Sequence, residues 1–544
     1  MGKLLSPALL SLSFCLVLVG SSLASSWQEQ FDEQNECQFQ ELHTLQPDHV
    51  IKSEAGLIET WDPNHKQFRC TGAAMSRCTL QHNALRLPSY SNAPQLFFIR
   101  RGSGVFGLIF PGCANTFEEP MQQSSKPDRH QKLHYFKEGD VIAVPTGVAF
   151  WIFNFQETPV ETISILYTDS KHNQLDRMPR RFYLAGNQEQ EFLHYQRQQQ
   201  QGGSQQQQQG GSQQQQNEGN NMLSGFTEDF LTQAFNVDRK TAQKLQGVRD
   251  DREGGIVKIE GGLRILSPRQ QGSEEGEEQE SSEGRQGQGE NALEETLCTM
   301  SLRKNIGRFT TPDIFNRRAG SIKTVNSLDL PVLKWLGLSA EYGSIRRNAL
   351  YVPHYNLNAH SIICALSGRA RIQVVDCSGN TVFDGQLEEG QVLTVPQNFA
   401  LAVKSQCENF RYVAFKTNGR AMMAPLAGRT SVIASWPEEV VQHAFQLERQ
   451  QARQLKNNNN DFSFLVPPSR TQSRRSQSES ESESQSEWGS EDKKRCGESR
   501  PVRWRNNGPP NSNNDGSHCM VGLDEYAMRG GACSCSCAYK DDEV

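Results

Sequence analysis

Two groups of landmark residues appear twice in this chain, and their repetition constrains the fold more than any local pattern does. Leu87-Pro88 leads through Gln95 to Gly102, and Gly139 is followed by Pro145 and Gly147. Further along, Val352-Pro353 leads through Ser361 to Gly368, and Gly390 is followed by Pro396 and Asn398. Pro88 and Pro353 are 265 residues apart and Pro145 and Pro396 are 251 apart, so the period is long and nearly constant. A repeat of this length is a whole domain duplicated, and a chain of 544 residues can bury a core in each copy.

Within the first copy, the runs Gly56 to Trp61, Leu96 to Arg100, Val105 to Phe110 and Val141 to Val144 are short and bounded by Gly, Pro and Asn. Such runs predict a sandwich or barrel of short strands. The Gly-rich Arg101-Gly102-Ser103-Gly104 predicts a hairpin between two of them. Each strand region is followed by a helical stretch. From Thr227 to Leu245, Phe230, Leu231, Ala234 and Phe235 share one stripe, which Ala242 and Leu245 extend after an N-cap at Asp238. A second stretch opens at Ser435-Trp436-Pro437-Glu438 with capping-box spacing and runs past Leu455. It repeats the first at an offset of 210, aligning Ala444-Phe445 with Ala234-Phe235. An apolar stripe needs a covering surface, either its own barrel or a neighbouring subunit.

Between these units lie segments that cannot form a core. Gln190 to Gln216 is almost wholly Gln and Gly, and Gln270 to Glu290 is Gly, Ser, Gln and Glu, so both are expected to be disordered loops. The chain opens with Lys3, an apolar stretch from about Ala8 to Val19, and a small-x-small site at Ser22-Leu23-Ala24. This pattern predicts a signal peptide over residues 1–24, too short to span a membrane. A net charge of −6 opposes a nucleic-acid binder, and no later apolar run approaches a membrane span, so neither is an expected partner.

A secretory route permits disulfides. Of fourteen cysteines, Cys15 leaves with the signal and five (Cys496, Cys519, Cys533, Cys535 and Cys537) crowd the C-terminal tail. Spacing alone leaves the pairing of the others open. Cys364, inside the apolar run Ile362 to Leu366, reads as a small buried hydrophobe. Asn291 ends the acidic, Gly-rich run, where an exposed tip suits a protease that cuts after asparagine.

No G-x-S-x-G elbow, Walker loop, H-E-x-x-H or helix-opening G-x-G-x-x-G is present. The repeated landmarks instead resemble the two signatures of the cupin barrel. In metal-binding cupins three histidines and a glutamate converge on one divalent ion, a donor set suited to such a metal. Laid onto the first copy, those positions become Ser89, Ser91, Gln95 and Phe150; in the second they become His354, Asn356, Ser361 and Leu401. One histidine survives, with His360 nearby, so the resemblance implies two emptied barrels with no metal and no cofactor.

Several further stretches resemble the 11S globulins, the legumin-type seed storage proteins. These include Glu59-Thr60-Trp61-Asp62, Pro111-Gly112-Cys113, Phe182 to Asn187, Asn291 to Cys298, and Ala427 to Ser431. The resemblance implies a mainly β bicupin, two jelly-roll β-barrels each followed by a small helical region. It implies disulfides joining Cys37 to Cys70 and Cys113 to Cys298, and cleavage between Asn291 and Ala292 by an asparagine-specific processing protease. The usual family junction has glycine where Ala292 stands. The resulting division is an acidic chain, 25–291, and a basic chain, 292–466, followed by a disordered tail, 467–544. Trimers and hexamers in the protein storage vacuole of seeds are the implied assemblies, with no enzymatic activity. The alternatives are a metal-dependent cupin and a cupin that binds a small ligand.

Overall fold

The computed structural model describes residues 37–115, 117–118, 128–192, 195, 220–248, 250–263, 298–307, 311–458 and 462–468. The signal peptide, the loop 270–290, the Asn291-Ala292 bond and the tail beyond 468 lie outside these residues.

The structure is mainly β, and each copy of the duplication forms two antiparallel sheets. In the first copy one sheet runs His49–Ser53, Gly56–Thr60, Ala73–Leu80, Val160–Tyr167, Gln95–Arg101, Asp140–Val144, Arg303–Asn305. The other runs Arg181–Tyr183, Ala84–Ser91, Ala149–Asn154, Ser103–Ile109, Leu133–Lys137. The second copy repeats this with Ile314–Asn316, Gly320–Val325, Ser339–Arg346, Asn409–Lys416, Ser361–Ser367 and Val392–Val395 in one sheet. Thr381–Glu388, Arg369–Val375, Ala400–Ser405, Leu350–Asn356 and Met423–Pro425 form the other.

The repeated glycines mark the corners of this plan. Gly102 does not close a hairpin, contrary to the reading from sequence. The strands on either side of it, Gln95–Arg101 and Ser103–Ile109, belong to different sheets, and neither pairs with the other. Gly102 sits at φ +83° with Pro159 O only 2.8 Å from where a Cβ would stand, so one residue passes the chain between layers. Gly368, at φ +76°, makes the same transfer in the second barrel.

The halves are interlocked. Arg303–Asn305, which lies beyond Asn291, is the edge strand of the first barrel, paired to Asp140–Val144. Buried Asp140 fixes it by accepting from Arg303 Nη1 at 2.9 Å and Asn305 Nδ2 at 2.7 Å. In the other direction, Leu42 and Leu45 reach the second barrel, donating to Val382 O at 2.7 Å and Val392 O at 2.8 Å. The division into 25–291 and 292–466 therefore does not coincide with the barrels. Between the barrels one apolar core is continuous, with Phe98 stacked on Tyr342 at 5.7 Å and Leu333 and Leu336 inserted beside them.

Each barrel carries a helical hairpin, Glu228–Phe235 with Arg239–Leu245 and Glu438–Phe445 with Arg449–Asn457. Thr227 and Asp238 cap the first pair, Asp238 accepting from the Thr241 N–H at 2.7 Å. Ser435 is not the cap predicted for the second: it ends the short helix Val432–Ser435, and the capping box lies at Glu448 and Gln451. The apolar stripe divides, because Leu231 and Ala242, like Val441 and Ala452, are buried while Phe230, Phe235, Phe445 and Leu455 stay exposed. Of the segment 190–216 expected to be a loop, residues 193–194 and 196–216 lie outside the described residues. Glu191, Phe192 and Tyr195 are all buried, so packing against the first barrel overrides the polar composition around them.

Candidate functional site

The strand register brings the former ligand positions together. Phe150 faces Ser89 across the second sheet of the first barrel, and Leu401 faces His354 in the second barrel. Gln95, Ser361, Ser91 and Asn356 are buried close by.

In the first barrel Phe150 packs edge-on to Phe97 at 5.3 Å and stacks on Phe106 at 5.3 Å, filling the space an imidazole and its metal would take. Ser91 donates to Ala93 O at 2.5 Å and so turns toward the backbone. Gln95 accepts from Arg181 Nη1 at 3.0 Å and donates to Ser164 at 2.9 Å. Arg181 and Arg86 lie over the Phe150 ring at 5.2 and 5.6 Å and converge on Glu191, at 3.5 and 2.5 Å. All three charged side chains are buried, and a carboxylate between two guanidiniums is how such charges are retained in a core. Burial pushes the Glu191 carboxyl up, but the guanidiniums of Arg181 and Arg86 outweigh it and hold the group below its ordinary range.

In the second barrel the Lys416 ammonium stands among the ligand positions themselves. It donates to Asn356 Oδ1 and Ser361 Oγ, both at 3.1 Å, and pairs with Glu341 at 3.8 Å. Tyr412 donates to the other Glu341 oxygen at 2.6 Å. His354 stacks on Tyr351 at 4.0 Å and hydrogen-bonds through Nδ1 to Val352 O at 2.8 Å. Ile363, Leu401, Phe410 and the polar groups above leave room for about one water molecule in this lumen.

Neither donor set fits a divalent metal. A site needs several convergent imidazole or carboxylate donors, whereas the first barrel offers hydroxyls, an amide and a phenyl ring, and the second a single imidazole already beside a cation. The fixed positive charges of Arg86, Arg181 and Lys416 occupy the electrostatic role of the ion. Thiol catalysis is disfavoured as well, because burial pushes both Cys78 and Cys364 up to about 11. These charged groups were missed in the sequence; the available signal was a lone charge in an apolar run, as in Val413-Ala414-Phe415-Lys416 and Ala84-Leu85-Arg86-Leu87.

His354 carries a prediction. Burial lowers its pKa from the ordinary 6.5 to about 4, so the unfolded chain binds the extra proton first as acid is added. Stability from neutral His354 is therefore complete above about pH 6.5 and falls as pH drops toward 4, by roughly 3 kcal/mol in all. Urea midpoints of wild type and His354→Phe across this window should show a flatter acid slope in the variant. Parallel slopes would mean that His354 is protonated in the folded state.

The structure joins Cys37 to Cys70 and Cys113 to Cys298, with Cα separations of 4.9 and 5.5 Å. Cys407 is also disulfide-bonded, and among the described residues Cys78, Cys364 and Cys377 are free.

The sequence matches the Cupin family over residues 42–190 and 307–453, one match for each barrel. It is 58% identical over 479 residues to glycinin G3 of Glycine max, covering 86% of this chain and 99% of that protein. Legumin A2 of Pisum sativum is 53% identical over 526 residues, covering 86% of this chain and 98% of its own. The chain is an 11S globulin of the legumin type. Among solved structures of 11S globulins, procruciferin from Brassica napus superposes with a TM-score of 0.68 at 36% identity, over 80% of this chain and 99% of that one. Vicilin from Corylus avellana shares the fold with a TM-score of 0.56 at 17% identity. The 11S globulin assignment accounts for both the bicupin plan and the disulfides.

Proposed function

We propose that this 11S globulin is a seed storage protein, a reservoir of nitrogen and amino acids rather than an enzyme. The observation that carries the reading is that both barrel lumens are closed by the protein's own side chains, with Phe150 and Lys416 standing where a cofactor would act. Relatives named as storage globulins support it. The Gln- and Asn-rich segments add nitrogen at little structural cost, and their tips give proteases a first cut when reserves are mobilised.

The protein enters the secretory pathway by its signal peptide and accumulates in the storage vacuole. A processing protease cuts after Asn291, leaving an acidic chain, 25–291, and a basic chain beginning at Ala292. The disulfide from Cys113 to Cys298 spans that cut, and the strand Arg303–Asn305 supplements it non-covalently. Self-association into trimers uses the exposed stripes of the two hairpins. Phe230 and Phe235 on one hairpin and Phe445 and Leu455 on the other are two different surfaces, as a head-to-tail ring requires. Cleavage then lets trimers pair as hexamers.

Gels of protein from mature seed, with and without reductant, test the processing step. One band without reductant and two with it, the smaller starting at Ala292, are expected. A single full-length band in both lanes would remove cleavage and the hexamer, leaving an uncleaved trimer as the stored form. Replacement of Asn291 should stop assembly at the trimer; hexamers from that variant would overturn the link between cutting and pairing. Storage itself is tested by following the protein through germination, where persistence of the intact chain would contradict it.

A further inference from the structure

One group of metal-ligating side chains lies outside both lumens. Cys37, Cys70 and His360 come from the N-terminal segment, the helix Lys66–Thr71 and the second barrel, and their ligand atoms all fall within 4.8 Å of one another. Among the described residues this is the one cluster of three such groups. In the oxidised chain the two sulfurs are bonded to each other, so they offer no thiolate.

We propose that Cys37, Cys70 and His360 form a soft-metal site that is latent in the disulfide and opens on reduction, with Zn(II) as the class of ion it takes. Two cysteine sulfurs and one imidazole, with water as the fourth ligand, make a tetrahedral donor set that zinc favours. The proposal does not depend on the storage function.

The surroundings suit both steps. A cleft of about 720 Å³ opens on Cys37, lined also by Phe39, Lys66, Asp376 and Cys377, and gives a small dithiol access to the bond. The dithiol delivers two electrons and two protons: the bond between the sulfurs breaks, two thiols form, and the reductant leaves as its own disulfide. The metal then displaces one proton from each thiol.

His360 is held ready on its backbone, donating to Thr417 Oγ1 at 2.9 Å and accepting from the Thr417 N–H at 3.2 Å. Burial lowers its pKa, which favours the neutral ring a metal needs. The cost of ligation is small, because the ring gives up one long hydrogen bond, from the Gln397 N–H to Nδ1 at 3.2 Å. Cys70 is anchored in its helix, so the sulfur of Cys37 supplies most of the adjustment as the pair separates to metal-bridging distance.

Cobalt(II) is the probe, added without air to the full-length protein after reduction with a phosphine. Reduced wild type should show the sulfur-to-cobalt charge-transfer and tetrahedral d–d bands. The tail cysteines add bands of their own, so the decisive reading is the difference between variants. Cys37→Ser with Cys70→Ser should bind one equivalent fewer, and His360→Ala should weaken that equivalent by at least about tenfold. His360→Gln keeps an acceptor for the Gln397 N–H and should weaken it as much, which separates a lost ligand from a damaged loop. Equal stoichiometry in wild type and the double serine variant, unchanged affinity in both His360 variants, or the same equivalent bound by the oxidised protein would each overturn the site.

Discussion

Glu191→Gln is expected to destabilise the first barrel by about 3–5 kcal/mol, because it leaves two guanidiniums buried with no anion between them. Arg86 Nη1 and Arg181 Nε already find no acceptor among the described residues, and the Gln95 amide that accepts from Arg181 Nη1 carries no charge to replace the carboxylate. The measurement is a urea titration followed by the emission of Trp61, with the other six tryptophans replaced by phenylalanine in both proteins so that the signal reports the first barrel alone. A midpoint shift worth less than about 1 kcal/mol would show that water or an ion compensates the cluster. Replacing Arg86, Arg181 and Glu191 together by apolar residues of similar volume should recover most of the loss, since the penalty belongs to the unpaired charges. The pH dependence has the sign of a depressed carboxylate. Stability from Glu191 is present above the unfolded carboxylate range and is lost as pH falls through its lower folded value.

Lys416→Met is expected to cost the second barrel a similar amount, about 3–5 kcal/mol. The ammonium is the common partner of Asn356, Ser361 and Glu341, and methionine fills its volume while satisfying none of them. Burial lowers the Lys416 pKa and Glu341 pulls it back up. Adding Glu341→Gln to Lys416→Met should therefore restore part of the stability, and double-mutant analysis should give a clear coupling energy. Additive losses would mean that the pair does not act as a unit. A gain of divalent metal binding is not expected, because Lys416→Met leaves one imidazole and one carboxylate in the lumen, fewer than the several convergent donors such an ion needs.

Much of the plan was legible because it depends on residues with narrow backbone meanings. Pro145, Gly147, Pro396 and Asn398 are fixed by tight turns, and Gly147 and Asn398 both lie at positive φ. That Ser89, Ser91, Phe150, Asn356 and Leu401 are not histidines is a plain fact of the sequence. What surrounds these positions was not legible, because Arg86, Arg181, Glu191, Glu341 and Lys416 converge from strands and loops with no common spacing. Propensity misled where tertiary contacts decided the outcome. Gly102 looked like a hairpin because sequence reports the turn but not which sheet receives the next strand. Glu191 looked like loop because its neighbours are polar, although Arg181, ten residues before it, and the remote Arg86 draw it into the core.

The exchanged segments also set a clock for biosynthesis. Asp140 is separated by 163 residues from Arg303, its partner in the edge strand, so the ribosome emits most of the first barrel long before the strand that completes its sheet. At about 5–20 residues per second that interval is several to tens of seconds. Throughout it the Asp140–Val144 edge is open to other nascent chains, the situation in which strands pair wrongly. Leu45 likewise waits for Val392, made later still. The last step in folding each barrel thus waits for sequence made much later, and a cut at the junction is harmless once Arg303–Asn305 has docked and ruinous before.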